Sequence, residues 1–279
     1  MSGHFRAFSF VDRITSLRDG SRVEGCYVIP AGLSAFPPCL AAEAVGQIAA
    51  WAAMKDADFL RRPVAGLAGR VDLLGEALPG RVLELVADIE SLDEEAISYR
   101  GTATMGGAPI IRLQDCVGPM IPVVDLDDPD ALRNRFALLS AMGVPAGGFP
   151  GLPPLPFHRI GGEPAVSVRA AFAVPASAPF FPDHFPRRPV FPGSLLMQAC
   201  LELAAALVAE VPPPARGEWR LQSVLNMKLR EFIPPGKELL LEAKLKQCTA
   251  NSLTLALDAR SGDEVVGGAR LLAGSGETQ

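Results

Sequence analysis

Phe180-Phe181-Pro182-Asp183-His184-Phe185-Pro186-Arg187-Arg188-Pro189-Val190-Phe191-Pro192-Gly193-Ser194-Leu195-Leu196-Met197-Gln198 decides how the rest of this chain is read. A histidine is followed by a proline-studded turn, then by a glycine that opens an apolar, helix-like run. A counterpart in the first half reads Phe36-Pro37-Pro38-Cys39-Leu40-Ala41-Ala42-Glu43-Ala44-Val45-Gly46-Gln47. It holds an acid, Glu43, and no histidine. The later stretch holds His184 and, where the acid would fall, Gln198. Each copy lacks what the other keeps, which is the pattern expected of a single site built by two half-domains.

Further landmarks repeat at the same spacing. Pro37-Pro38 and Pro192-Gly193 open similar runs 155 residues apart. The Pro-Gly pairs Pro79-Gly80 and Pro235-Gly236 differ by 156, as do Gly106 and Gly262. Stacked repeats have periods of roughly 20–50 residues, so this spacing indicates two copies of one domain rather than a solenoid.

The 279 residues suffice for two domains with their own cores. Apolar residues make up 49% and charged residues 20%, a globular balance. A net charge of −5 argues against broad nucleic-acid binding, which needs a dense basic surface. No apolar run approaches the ~20 residues of a bilayer span, and the opening Met1-Ser2-Gly3-His4-Phe5-Arg6 lacks the apolar core of a secretory signal. Cys26, Cys39, Cys116, Cys200 and Cys248 are odd in number and lack metal-type spacing. They read as buried thiols of a reducing cytoplasm.

The first domain is expected over residues 1–120, a Pro- and Gly-rich connector over 121–157 and the second domain over 158–279. In the first, 8–14 and 21–29 read as strands around an Asp19-Gly20 turn. An Ala-rich helix follows from Pro38 to about Lys55. Its apolar residues cover nearly every face, so it should be wrapped by protein. Strand-like runs follow at 64–74, 81–89, 96–105 and 109–117. In the connector Asp128 caps a helix with Pro129 at its first position, ending near Met142 and stopped by Gly143. The second domain repeats the plan: a strand over 165–174, the His184 segment, a helix from Gly193 to about Glu210 closed by Pro212-Pro213-Pro214, and three or more strands to Leu272. Strands around one buried helix, twice over, make an α+β fold.

The run from His184 to Gly193 resembles the FabZ/FabA-type β-hydroxyacyl-[acyl-carrier-protein] dehydratases, whose motif is His-Phe-Pro-x-x-Pro-Val-x-Pro-Gly followed by an acid and, four residues later, a Gln. The first half is similar to the same family at Phe10-Val11-Asp12-Arg13-Ile14 and at Glu43-Ala44-Val45-Gly46-Gln47. The resemblance implies a double hot-dog, two tandem domains in which a curled antiparallel sheet wraps a long helix. In that family the histidine of one hot-dog faces the acid of its partner. Carried here, His184 would meet Glu43, while the mirror-image site would pair Gln198 with a residue near 29–34, where there is no histidine.

What the resemblance implies is dehydration of a 3-hydroxyacyl thioester. His184 would take a proton from C2, since imidazole titrates near neutrality. Glu43 would protonate the departing hydroxyl, provided burial keeps its carboxyl protonated. Gly193, at a helix start, would offer its N–H to the charge developing on the thioester oxygen and let substrate approach the main chain. Gln47, one turn from Glu43, would orient it. Phe185, Pro192, Ser194 and Gln198 would contact substrate. Arg187, Arg188, Lys228 and Arg230, with Lys237, would form a basic patch for a phosphopantetheine phosphate or an acidic acyl carrier protein. No metal or redox cofactor is expected, the acyl group riding on carrier-protein phosphopantetheine or on coenzyme A, and homo-oligomers of double hot-dogs are compatible with the plan.

Other readings stay open. Glu43 is also readable as a buried group satisfied by backbone donors, the arginines as a solvated surface, and Phe180, Phe181, Phe185 and Phe191 as core. Glu202, a turn beyond Gln198, is a weaker acid candidate, and His4 and His158 have no evident role. Enoyl-thioester hydratase, isomerase or thioesterase activity, or non-catalytic binding of acyl chains or carrier protein, are the alternatives.

Overall fold

The computed structural model describes residues 4–18, 20–146, 148–214 and 217–276. Residues 1–3 and Asp19 of the expected hairpin turn therefore lie outside the described residues. The first half contains β1 (Arg13–Arg18), β2 (Arg22–Val28), α1 (Pro38–Asp56), β3 (Arg61–Pro63), β4 (Leu67–Leu73), β5 (Val82–Leu92), β6 (Ala96–Met105) and β7 (Ala108–Pro122). A short 3-10 turn (Val123–Asp125) leads into α2 (Pro129–Ala141). The second half contains β8 (Phe157–Glu163), β9 (Ser167–Ala173), α3 (Gly193–Val208), β10 (Glu218–Leu229), β11 (Glu238–Cys248), β12 (Ser252–Ser261) and β13 (Glu264–Gly276).

Local chemistry accounts for most of these elements. In β2 and β12 burial alternates residue by residue, the two-residue period of a strand with one face against a core. Pro38 occupies the first turn of α1, where its missing N–H costs nothing. Both Leu40, Ala41, Ala44, Val45, Ile48 and Ala49 and the further residues Trp51, Ala52, Ala53 and Met54 are buried, so α1 is surrounded as its apolar circumference predicts. Asp128 caps α2 by accepting the Asp130 N–H at 3.0 Å, and Gly143 follows the helix in the left-handed region at φ +77°.

The halves are related by more than composition. β11, β12 and β13 begin 156 residues after β5, β6 and β7 (238 against 82, 252 against 96, 264 against 108). Strand order along the sheet is β1-β2-β5-β6-β7-β4-β10-β13-β12-β11-β9-β8, every named pairing being antiparallel, with β3 added on β7. Read outward from the β4–β10 junction, the two arms have the same connectivity. Each arm wraps one helix, α1 or α3, and the two helices touch. The molecule is a double hot-dog.

Two expectations need correction. Residues 8–12 are not a strand. β1 starts at Arg13, and the segment before it forms a strap in which the Phe8 and Phe10 N–H groups and the Phe8 C=O are taken by side chains, and only the Asp12 N–H reaches β2, at the Cys26 carbonyl. The strand expected over 165–174 is also not the first of the second domain: β8 precedes it, with His158 opposite Ala171 of β9.

At the junction Ser223 of β10 faces Asp72 of β4, both buried. The Ser223 hydroxyl donates to Asp72 Oδ1 at 2.7 Å and accepts from Arg70 Nη2 at 3.1 Å, while Arg70 Nε donates to the same Asp72 oxygen at 2.7 Å. Ser223→Ala leaves a buried carboxylate short of one donor. It should lower stability by about 1–3 kcal/mol, read as a shift of the urea midpoint at unchanged slope.

Candidate active site

His184 is held from several sides. Its N–H donates to the carbonyls of Phe180 (3.0 Å) and Phe181 (3.1 Å), and its own C=O accepts from the Val190 N–H at 2.9 Å. Its ring Nδ1 lies 2.9 Å from the Val190 carbonyl oxygen. A carbonyl only accepts, so Nδ1 carries the proton and Nε2 is left with the lone pair. The Phe185 ring stacks on the imidazole at 4.2 Å, and the edge of Phe8 from the first half meets it at 5.5 Å.

Glu43 sits in the second turn of α1 with Gln47 one turn on, on the same side. Gln47 Nε2 donates to Glu43 Oε1 (3.1 Å) and to the Phe8 carbonyl (3.1 Å), and its Oε1 accepts from the Phe10 N–H (2.8 Å). Two acceptors at one end and a donor at the other define the orientation of the amide. Glu43 Oε1 thus serves as the acceptor.

His184 and Glu43 line one cavity of about 210 Å³ that runs between the halves. Gly193 and Ser194 at the start of α3, Gln47 and Arg62 also border it, and the remaining wall is largely apolar, with Val71, Ile97, Leu113, Met197 and Leu201 among it. Leu195 and Leu196 are the first α3 residues whose N–H groups return to the chain, both to the Pro192 carbonyl, so the amides of Gly193 and Ser194 stand at the open end of the helix. The buried Ser194 hydroxyl has no partner among the described residues.

Charge in this cavity is tightly organised. Burial holds the His184 imidazole below its ordinary value; the carboxylate of Glu43 and the Val190 carbonyl oppose that shift, and Arg62 reinforces it. Arg62 of β3 pairs with Asp127 at 3.1 Å, a carboxylate only 1% exposed, and lies over the Phe185 ring at 4.3 Å. Burial also pushes the Cys39 thiol, in the first turn of α1, well up, with the carboxylates of Glu43 and Glu202 adding to it. Cys39 is thereby an inert wall residue. Among the described residues no group of three or more His, Cys, Asp or Glu side chains is arranged to hold a metal ion.

The expected site residues separate into three sets. His184, Glu43, Gln47, Phe185, Gly193 and Ser194 border the cavity, whereas Pro192 and Gln198 do not. Gln198 Nε2 instead donates to Glu202 Oε1 at 3.0 Å, one turn along α3. Arg187, Arg188, Lys228 and Arg230 are exposed outside the cavity. Arg187 Nη1 donates to the Val124 carbonyl (2.9 Å), and Arg188 lies over the Phe232 ring at 4.7 Å. Gly193 borders the cavity and is also closely packed: a Cβ there would fall 2.0 Å from Leu229 Cδ1, so a side chain at 193 requires that methyl group of β10 to shift. Sequence reading passed over Asp183, Arg62, Asp127 and Phe8. Arg62 and Asp127 are 65 residues apart and belong to no motif, and only the stretch around His184 drew attention to Asp183 at all.

Known proteins resemble this chain in sequence over its second half and in fold over nearly its whole length. The family model described as ApeI-like, ApeI dehydratase, matches residues 162–269. The 3-hydroxyacyl-[acyl-carrier-protein] dehydratase FabZ of Rickettsia africae (strain ESF-5) is 36% identical over 90 residues, 32% of this chain and 62% of that protein. FabZ of Burkholderia thailandensis is 33% identical over 88 residues, 30% of this chain and 55% of that protein. The chain thus spans somewhat over half the length of these relatives, and the second half carries the likeness to FabZ-type dehydratases. Among solved structures, the proposed oleoyl thioesterase of Lactobacillus plantarum superposes with a TM-score of 0.60 at 10% identity, covering 94% of this chain and 98% of that one. The tesB protein of Mycobacterium avium subs paratuberculosis gives 0.55 at 12% identity, covering 94% and 95%. These establish the fold over nearly the whole chain.

The lowered affinity of His184 for a proton has a thermodynamic consequence. As pH falls below the unfolded value of about 6.5, the unfolded chain takes up this proton before the folded one, so stability is lost from there down to the folded-state value. Asp12, whose carboxyl burial pushes up to about 6 against the lowering effects of the Val28 N–H and Arg135, tilts the same window the opposite way. The wild type must therefore be compared with His184→Gln. Urea midpoints from about pH 7.5 to about pH 5 should fall more steeply in the wild type; parallel curves contradict the assignment.

Proposed function

We propose that this chain removes water from a 3-hydroxyacyl thioester to give the trans-2-enoyl thioester, at one site shared by its two halves. The observation that carries this reading is that His184 and Glu43, contributed by opposite halves, line the same largely apolar cavity, with the free nitrogen of a neutral imidazole available as a base. The likeness of the second half to FabZ-type dehydratases supports the same chemistry.

In this reading Nε2 of His184 takes the proton from C2. The electron pair of that C–H bond forms the C2–C3 double bond as the C3–O bond breaks, and Glu43 Oε2 protonates the leaving hydroxyl, so that water departs. The proton taken up by His184 returns to Glu43 before the next turnover. Negative charge that gathers on the thioester oxygen faces the amides at the start of α3, where the helix dipole adds to the hydrogen bonds. The apolar wall excludes water and holds the acyl chain.

The substrate would be delivered by an acyl carrier protein or as a coenzyme A thioester, within fatty-acid or polyketide- or polyene-type synthesis. Exposed Arg187, Arg188, Lys228 and Arg230 supply positive charge for the phosphate of the phosphopantetheine arm or for an acidic carrier surface. No cofactor enters the reaction as written.

The test is to incubate the protein with 3-hydroxyacyl and trans-2-enoyl thioesters of both carriers and follow loss or gain of one water by mass. His184→Ala and Glu43→Gln should each reduce turnover by about 10²–10⁴-fold, whereas Gln198→Ala should leave it nearly unchanged. Full activity in Glu43→Gln would remove the shared site, thiol release would favour a thioesterase, and silence on every thioester would favour a binding protein.

A further inference from the structure

The carboxylate of Asp183 is the most heavily used acceptor at this site. It takes backbone N–H groups from four consecutive residues of the first half: Phe5 on Oδ1 (2.5 Å), and Arg6 (2.8 Å), Ala7 (2.7 Å) and Phe8 (2.8 Å) on Oδ2. Four donors converging on one anion are strong, charge-assisted bonds, and they hold a segment that no sheet supports. Arg135 of α2 lies over the Phe5 ring at 5.2 Å and adds a second restraint. Phe5, Phe8 and Ser9 of this strap form part of the cavity wall.

Phe8 is the point where the two halves of the site meet. Its N–H is held by Asp183, the immediate neighbour of His184. Its C=O accepts from Gln47, whose same nitrogen donates to Glu43. Its ring edge abuts the imidazole. One residue therefore touches the base directly and reaches the acid through a single amide. Gln47 also holds the Phe10 N–H, so the strap is anchored on both sides of the cavity.

We infer that Asp183 is a positioning residue, which by gathering the N–H groups of residues 5–8 fixes Phe8 between His184 and Gln47 and so sets the approach of base to acid. A strap released at Asp183 removes Phe8 from the imidazole and leaves the Gln47 amide free to turn away from Glu43. Misplacement of reacting groups by about 1 Å costs on the order of 10²-fold in rate, while binding of the acyl chain by the apolar wall is little changed. The catalytic consequence rests on the dehydratase reading; the tethering does not.

The experiment uses Asp183→Ala and, as a milder variant that keeps one carbonyl acceptor, Asp183→Asn, in the full-length chain. Amide hydrogen exchange at residues 5–8 should speed up in both, more in the alanine variant. The His184 ring protons, identified by their loss in His184→Gln, should lose the ring-current shift caused by Phe8. Turnover of a 3-hydroxyacyl thioester should fall about 10–100-fold in Asp183→Ala and less in Asp183→Asn, with KM nearly constant. Unchanged exchange and unchanged His184 resonances in a folded Asp183→Asn would overturn the tether. A freed strap with full kcat would overturn the positioning role. If the wild type acts on no thioester, the dehydratase reading fails alone, because the exchange and resonance measurements still decide whether Asp183 holds Phe8 against His184.

Discussion

The pairing of β4 with β10 is the constraint on which the rest of the molecule depends. It turns two curled sheets into one and brings α1 and α3 into contact inside it. A lone half would expose β4 as an unpaired edge and leave one flank of its helix uncovered, a condition that invites association. Because the junction joins equivalent strands, each helix presents one flank to the opposite half. The cavity forms between those flanks, and residues from both halves reach it. The Asp72–Ser223–Arg70 bonds lie on this pairing and give it a fixed register.

Duplication within one chain allows the two mirror-related places to diverge. On one side the His184 turn, the Glu43–Gln47 pair and the open end of α3 face a common space. On the other, Gln198 Nε2 donates to Glu202 along α3, while its buried Oε1 has no partner among the described residues. The chain just ahead of α1 contributes Phe36 to an aromatic cluster with Phe10, Tyr27 and Phe149, the last supplied by the connector. The first half has no histidine over residues 29–34, the stretch that matches the His184 segment. A homodimer of identical chains cannot make this trade, since any change appears at both sites.

Buried charge in the cavity is balanced rather than avoided. Arg62 would be costly in this setting without Asp127, and Asp127 without Arg62. Together they leave a guanidinium beside Phe185, where it disfavours a second cation on His184. Asp183 follows the same logic with amides in place of a cation. The site thereby favours a neutral imidazole.

Much of this was legible in the chain itself. Short-range rules cover the helix at Pro38, the capped helix at Asp128, the strand-like run at 96–105, and the repeat at offsets of 155 and 156. They also single out His184 and Glu43, because an ionisable group in an apolar context stands out in any window. They fail where a group's partner is remote. Residues 8–12 have the composition of a strand but become a strap, since acceptors 37 to 175 residues away compete for their N–H groups. The close approach of Leu229 to Gly193 is likewise absent from any local window of the sequence. Periodicity, capping and residue identity are properties of neighbours along the chain, and the amino-acid sequence alone determines them. Which carboxylate gathers which amides, and which two side chains share a cavity, follow from contacts between segments far apart in the chain, and only the folded arrangement of the two halves decides them.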